Sequence, residues 1–185
     1  MDSLLPQTYL IGLICVLAVV AILVGRQFIK VRREESNLIR LEKSGANSST
    51  EASELYELAS VQIRKRLYPQ ATSTLKKALA RLEGEPEEAK ALIENALGFS
   101  LAAQDKFEAA IGHYRTALKA KSDYPVALNN LAFVQQRLLK EDEAYDLYKK
   151  VLAIDPKNQT ALKQIKRLQK TSKKNLEGST NKKGF

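Results

Sequence analysis

The chain has no tryptophan and only one cysteine, one histidine and one methionine among 185 residues. A single cysteine excludes an intrachain disulfide and any multi-cysteine metal site. That cysteine, Cys15, lies inside an apolar run and reads as a small buried hydrophobe rather than a reactive thiol. The one histidine, His113, has no partner with which to build a metal site and reads as a surface or packing residue between Ile111 and Tyr114. Glycine numbers only 8, and none of it forms a phosphate-cradling loop. No nucleophile motif and no paired-carboxylate pocket is present either. The chemistry-bearing residues of an enzyme are missing, and no cofactor is expected.

Acidic charge is scarce in one region only. The net charge is +9, but residues 51–158 hold sixteen basic and sixteen acidic side chains and are neutral. Residues 159–185 hold eight basic side chains against one acidic, so the basic excess belongs to the C-terminal end. A nucleic-acid-binding domain carries its excess on the folded face. Here that face is neutral, and no nucleic acid is expected as a partner. The basic end reads as a solvated helix surface followed by a disordered tail, attracted weakly to anionic lipid or an acidic partner.

What is present in quantity is an apolar run, Tyr9 to Gly25, without a charge. With Leu4-Leu5 before it and Phe28-Ile29 after it, the zone reaches the ~20 residues that span a bilayer. Tyr9 stands where an interfacial aromatic belongs. Two other readings compete. A buried soluble helix needs a core that hides it on all sides, which a small helical domain lacks. A cleaved signal needs a basic start and a small-residue site after the run. This chain starts Met1-Asp2-Ser3, and Arg26, Lys30, Arg32 and Arg33 follow the run. The expectation is a short head over 1–8, an uncleaved membrane helix over 9–29, and a chain that is membrane-integral. The cations after the span place the C-terminal part in the cytoplasm or its equivalent, such as a stroma. Residues 30–50 then form a basic helical stalk and a linker. Ser44 to Thr50 breaks the stalk, and Ser48 with Glu51 fits a capping box opening the next helix.

The soluble part repeats itself. Leu97-Gly98, Phe107, Ala110, Tyr114, Ala117 and Leu118 are matched 34 positions later by Leu131-Ala132, Glu141, Ala144, Tyr148, Val151 and Leu152, similar or identical at all but the third. Leu58-Ala59, Tyr68, Ala71, Leu75, Ala78 and Leu79 form an earlier copy, separated by a loop insertion at Gly84-Glu85-Pro86. The period and the residues resemble the tetratricopeptide repeat (TPR), a helix-turn-helix unit that stacks into a superhelix. The expected fold is all-α: an N-terminal transmembrane helix and a three-repeat TPR solenoid with a C-terminal capping helix. The repeats fall at about 52–85, 91–124 and 125–158, within a domain over 51–158. The capping helix spans 159–174 with Leu162, Ile165 and Leu168 on its packed side, and residues 175–185 form the disordered basic tail. Small residues (Ala59, Gly98, Ala132 and Ala71, Ala110, Ala144) stand where paired helices cross. Leu75, Tyr114 and Tyr148 fill the space toward the next unit, as packing residues.

Function in such a stack lives on the inward face of the first helix of each unit. The TPR geometry puts Tyr56, Asn95, Phe99, Asn129, Asn130, Phe133 and Arg137 there, as a partner-binding groove. Asn amides both donate to and accept from an extended peptide, and the two Phe rings offer apolar pockets. TPR domains that dock chaperone tails hold a terminal carboxylate with Lys and Arg on this face. At the matching positions stand Tyr56, Ser60, Ala96, Val126 and Asn130, so capture of a chaperone tail is not expected.

The start at Leu5-Pro6-Gln7-Thr8-Tyr9-Leu10, the span, the stalk Arg32-Arg33-Glu34-Glu35-Ser36-Asn37-Leu38 and the repeats together resemble a family. It is the photosystem I assembly family of small membrane-anchored TPR proteins of cyanobacteria and plastids. The resemblance implies a single-pass protein of the thylakoid membrane whose TPR domain faces stroma or cytoplasm. Photosystem I subunits or assembly intermediates would be its partners, and its role would be assembly or stability of photosystem I. Two other classes share the architecture: a bacterial envelope TPR protein serving translocation or secretion, and an organelle receptor-type TPR adaptor.

Overall fold

The computed structural model describes residues 4–45 and 51–180, and these divide into two units, residues 1–48 and 49–185. In the first unit a single helix, α1, runs from Leu4 to Gly45. No proline interrupts it after Pro6, Ser44 and Gly45 of the expected break are still helical, and the rest of that break, 46–50, lies outside the described residues. The head expected over 1–8 is therefore helical from Leu4 onward, because Pro6 falls in the first turn, where its missing N–H costs nothing. Leu10–Lys30 within α1 is long and apolar enough to cross a membrane, with a mean hydropathy of 2.4. Its apolar side chains, Cys15 included, are exposed rather than packed in a core.

The second unit is all-helical: α2 (Ala52–Arg64), α3 (Tyr68–Leu79), α4 (Glu87–Ala102), α5 (Phe107–Ala120), α6 (Pro125–Arg137), α7 (Glu141–Ile154) and α8 (Gln159–Thr180). Each helix packs on the next in the chain, and the first helices of successive repeats, α2 with α4 and α4 with α6, also touch. Helix starts follow the local chemistry. Acidic residues at Glu87-Glu88 and Glu141-Asp142-Glu143 meet the positive ends of α4 and α7. Pro69 and Pro125 sit in the first turns of α3 and α6, where a missing N–H costs nothing. The first helix of the second repeat begins at Glu87, ahead of the expected residue 91, because extended Pro86 caps it directly. The start of α2 differs from the expected capping box. Glu51 is itself the extended N-cap and makes no side-chain cap bond, because burial of Ala52 and Leu55 sets the first turn three residues later. Ser48 lies outside the described residues.

Every intra-repeat turn ends in the same way. Arg66, Asp105 and Leu139 have φ of 60°, 57° and 60°. The following amides of Leu67, Lys106 and Lys140 bond back to Gln62, Leu101 and Gln135 at 2.8, 3.0 and 2.9 Å. This is the Schellman closure, built here without glycine. Gly84, at φ 82°, serves the inserted loop alone.

The six small residues at the helix crossings are all buried, the five alanines completely. At Gly98 an added Cβ would stand 2.8 Å from Cδ1 and Cε1 of Tyr114, so only glycine admits the ring. Two core clusters join through α6, which gives Leu131 and Val134 to one and Leu128 and Ala132 to the other. Helix α8 closes the second cluster with Ala161 and Leu168, and with Ile165 partly buried. Leu162, expected on the packed side, is exposed instead. The positions 161, 165 and 168 follow the 3.6-residue turn, whereas 162, 165 and 168 drift around the helix. The helix also passes the expected end at 174 and reaches Thr180, since no proline follows the lysines. The rest of the expected disordered tail, 181–185, lies outside the described residues.

Candidate protein-binding groove

The inward faces of α4 and α6 and the start of α8 enclose a hollow of about 450 Å³. Phe99 and Ala102-Ala103 come from α4, Asn129, Asn130, Phe133 and Arg137 from α6, and Thr160 and Gln164 from α8. Tyr114 and Tyr148 form its floor from the second helices, beside Phe107. Of the seven sequence-derived site residues, five thus meet in one place: Phe99, Asn129, Asn130, Phe133 and Arg137. Phe99 and Phe133 remain 39% and 51% exposed, which is unusual for large aromatics whose neighbours are packed. Phe99 leans edge-on against Tyr68, with ring centroids 6.3 Å apart. The Arg137 guanidinium lies 5.7 Å from the Phe107 ring centre and 3.9 Å from the Asp105 carboxylate, a loose and exposed pair.

Tyr56 and Asn95 do not line the hollow. Asn95 is buried; its Nδ2 donates to the Tyr124 hydroxyl at 3.4 Å, and its Oδ1 accepts from Asn130 Nδ2 at 3.0 Å. Tyr56 is partly buried against the core and lies close enough to Tyr124 to act on it electrostatically. Burial raises the Tyr124 pKa, Tyr56 adds to that, and the Asn95 bond opposes it. One repeat on, Asn129 Nδ2 donates to Asn158 Oδ1 at 3.2 Å, the same contact displaced by the repeat period. Asn95 and Asn129 therefore fasten α4 and α6 to the residue just before the next first helix, and Asn130 ties α6 back to α4. Of the three, Asn129 and Asn130 also line the hollow.

Several groove residues were not singled out from the sequence. Tyr114 and Tyr148, read as packing residues, are buried yet reach the floor. Burial pushes the Tyr148 hydroxyl up to about 12, with the Arg167 charge opposing, and pushes Tyr114 up as well. Thr160 and Gln164 were findable, since they repeat Val126 and Asn130 one period later. Outside the groove, His113 is a paired residue rather than a bare surface one. Its Nδ1 lies 2.6 Å from Oε2 of Glu94, which is buried. Nothing in the sequence marks a pair that joins α4 to α5. No cluster of three or more His, Cys, Asp or Glu that could hold a metal occurs among the described residues.

No family model matches the sequence. Curated proteins do. The chain is 33% identical to the uncharacterized protein ycf37 of Cyanophora paradoxa over 166 residues, covering 89% of this chain and 95% of that one. The chain belongs to the ycf37 family. The ycf37 protein of Guillardia theta is 27% identical, with 87% of this chain and 90% of that one covered. A TPR domain-containing chloroplastic protein of Arabidopsis thaliana, PYG7, is 30% identical over 154 residues. That match takes in 83% of this chain but spans only 51% of PYG7. The ycf37 and PYG7 relatives are those to which the head, stalk and repeats pointed as a photosystem I assembly family. Solved structures show the fold. The Cut9–Hcn1 assembly of the APC/C matches with a TM-score of 0.68 at 21% identity, over 78% of this chain and 28% of that one. MamA matches with a TM-score of 0.60 at 20% identity, over 78% and 91%. The first TPR of RPAP3, solved with an HSP90 peptide, matches with a TM-score of 0.59 at 19% identity, over 67% and 94%. This ycf37-family chain is thus a TPR protein, a scaffold-type protein-interaction fold with plastid relatives.

Proposed function

We propose that the protein is a membrane-anchored, non-enzymatic TPR scaffold that binds subunits or assembly intermediates of photosystem I and assists their assembly or stability. The observation that carries this reading is the hollow between α4 and α8, with Phe99 and Phe133 left uncovered beside hydrogen-bonding amides. Apolar rings beside polar groups suit an extended polypeptide, whose side chains and backbone need both. The family supports the photosynthetic setting, and the Leu10–Lys30 segment supports the anchor. In this reading α1 crosses a thylakoid membrane once and the repeats face stroma or cytoplasm. The tether raises local concentration, so a weak groove interaction suffices.

The test uses the full chain purified from detergent-solubilised photosynthetic membranes. Photosystem I subunits should co-elute, and Phe99→Ala combined with Phe133→Ala should abolish their recovery. Both rings are substantially exposed, so the double variant should keep its helical circular-dichroism melt. Undiminished recovery with an intact melt would refute the groove. Topology is tested by protease on sealed vesicles: cleavage of the repeats from the non-cytoplasmic side alone would overturn the orientation.

A further inference from the structure

Helix α8 has two faces. Ala161, Ile165 and Leu168 pack inward, while Lys163, Lys166, Arg167 and Lys170 are all exposed, with Leu162 beside them at 42%. At 3.6 residues per turn, Leu162 and the four cations fall within an arc of about 140°. No ion pair involves any of the four among the described residues, and none of them lines the hollow. The repeats before α8 are neutral in charge, so this arc is a local feature and not part of a general basic surface. Such a face, a row of exposed cations along one side of a helix with an apolar edge, matches a plane of negative headgroups. An acidic polypeptide is held instead by cations converging on a recess. On the membrane-anchored reading above, the candidate span in the same chain would keep a bilayer within reach.

We infer that the exposed face of α8 is a docking surface for anionic lipid headgroups, with Leu162 entering the interface beside the cations. This rests on the membrane-anchored reading above, and it gives the C-terminal end of the repeat stack a second, charge-dependent hold on the bilayer. A cation near an anionic leaflet contributes about fivefold to the docked-to-undocked ratio, so three together should contribute on the order of a hundredfold.

The chain has no tryptophan, so Leu162→Trp installs a sole indole reporter that can be excited apart from the tyrosines. The full-length variant is reconstituted into vesicles containing acyl-brominated phosphatidylcholine as quencher, with or without phosphatidylglycerol. Expected are strong quenching with phosphatidylglycerol at low salt, relief by high salt, and little quenching in phosphatidylcholine alone. Lys163→Glu, Lys166→Glu and Lys170→Glu together should return the signal to the phosphatidylcholine level while the helical melt is unchanged. Absence of quenching with phosphatidylglycerol overturns the inference, as does equal quenching in both vesicles. Binding of polyglutamate without lipid quenching also overturns it, in favour of an acidic polypeptide. Alkaline-carbonate flotation of the same vesicles separates the two claims. Loss of the chain from the vesicles refutes the anchor, whereas retention without quenching refutes only the α8 surface.

Discussion

The second and third repeats solve one packing problem in two ways. Each places a buried tyrosine, Tyr114 or Tyr148, between its two helices. In the third repeat the crossing residue is Ala132, and the Tyr148 hydroxyl donates to Gln136 Oε1 at 2.8 Å. In the second repeat Gln136 is replaced by Ala102, and no hydrogen bond reaches the Tyr114 hydroxyl among the described residues. The ring instead lies flush on Gly98, where a Cβ would meet it at 2.8 Å. One tyrosine is held by a polar bond and the other by close contact. Equal repeat positions therefore do not tolerate equal substitutions.

The largest break in that comparison comes at Gly98. Gly98→Val should destabilise by about 3 kcal/mol, because a buried ring cannot yield and overpacking at such sites costs about 1–3 kcal/mol. Gly98→Ala should cost about 1 kcal/mol, part of the clash being offset by the higher helix propensity of alanine. Ala132→Gly should lose about 1 kcal/mol through helix propensity alone. Urea unfolding followed by circular dichroism measures all three. A more stable Gly98→Ala protein would show that the second repeat is as roomy as the third.

Alkaline stability sharpens the comparison next. Burial raises both tyrosines above their ordinary value of 10.0, Tyr148 to about 12. Above pH 10 the unfolded chain releases these protons while the folded chain holds them. Stability is therefore full below pH 10 and declines as pH climbs toward the folded values. Tyr114→Phe should flatten the larger part of this decline at little cost near neutrality, since its hydroxyl has no partner to lose. Tyr148→Phe should flatten less and cost about 1 kcal/mol at neutral pH, the worth of its bond to Gln136. Urea midpoints taken across the alkaline range would expose the reverse order if it held.

The parts of this molecule that were legible in the sequence are those set by side-chain size at a fixed period. Ala59, Gly98, Ala132 and their partners Ala71, Ala110 and Ala144 announce the crossings, and the crossings dictate the helix pairs. Phe99, Phe133, Asn129, Asn130 and Arg137 were legible as a groove because inward positions recur with the repeat. Tyr56 and Asn95 share the register but not the hollow. It opens only where α4, α6 and α8 converge, and the register is blind to how far along the stack that happens. The groove role of Thr160 and Gln164 needed the period to be carried into a helix that looks like a cap. Leu162 was misplaced because three leucine-like residues at intervals of three suggest a stripe that a real helix does not keep. The Glu94–His113 contact was invisible because it depends on two helices meeting side by side.

The three turn residues were equally hidden, and they give the smallest difference between the repeats. Glycine is the usual signal for a left-handed residue after a helix, yet Arg66, Asp105 and Leu139 occupy the position. The Schellman bonds of each turn force the conformation whatever the side chain. Asp tolerates it through its short polar side chain, whereas Leu has no such compensation. Leu139 is also 85% exposed, so replacing it sacrifices little burial. Leu139→Asn should therefore stabilise the domain by about 0.5–1 kcal/mol, while Asp105→Asn should change it by only a few tenths. Thermal melts of the two single variants decide the matter, because equal shifts would mean that the left-handed turn costs the third repeat no more than the second.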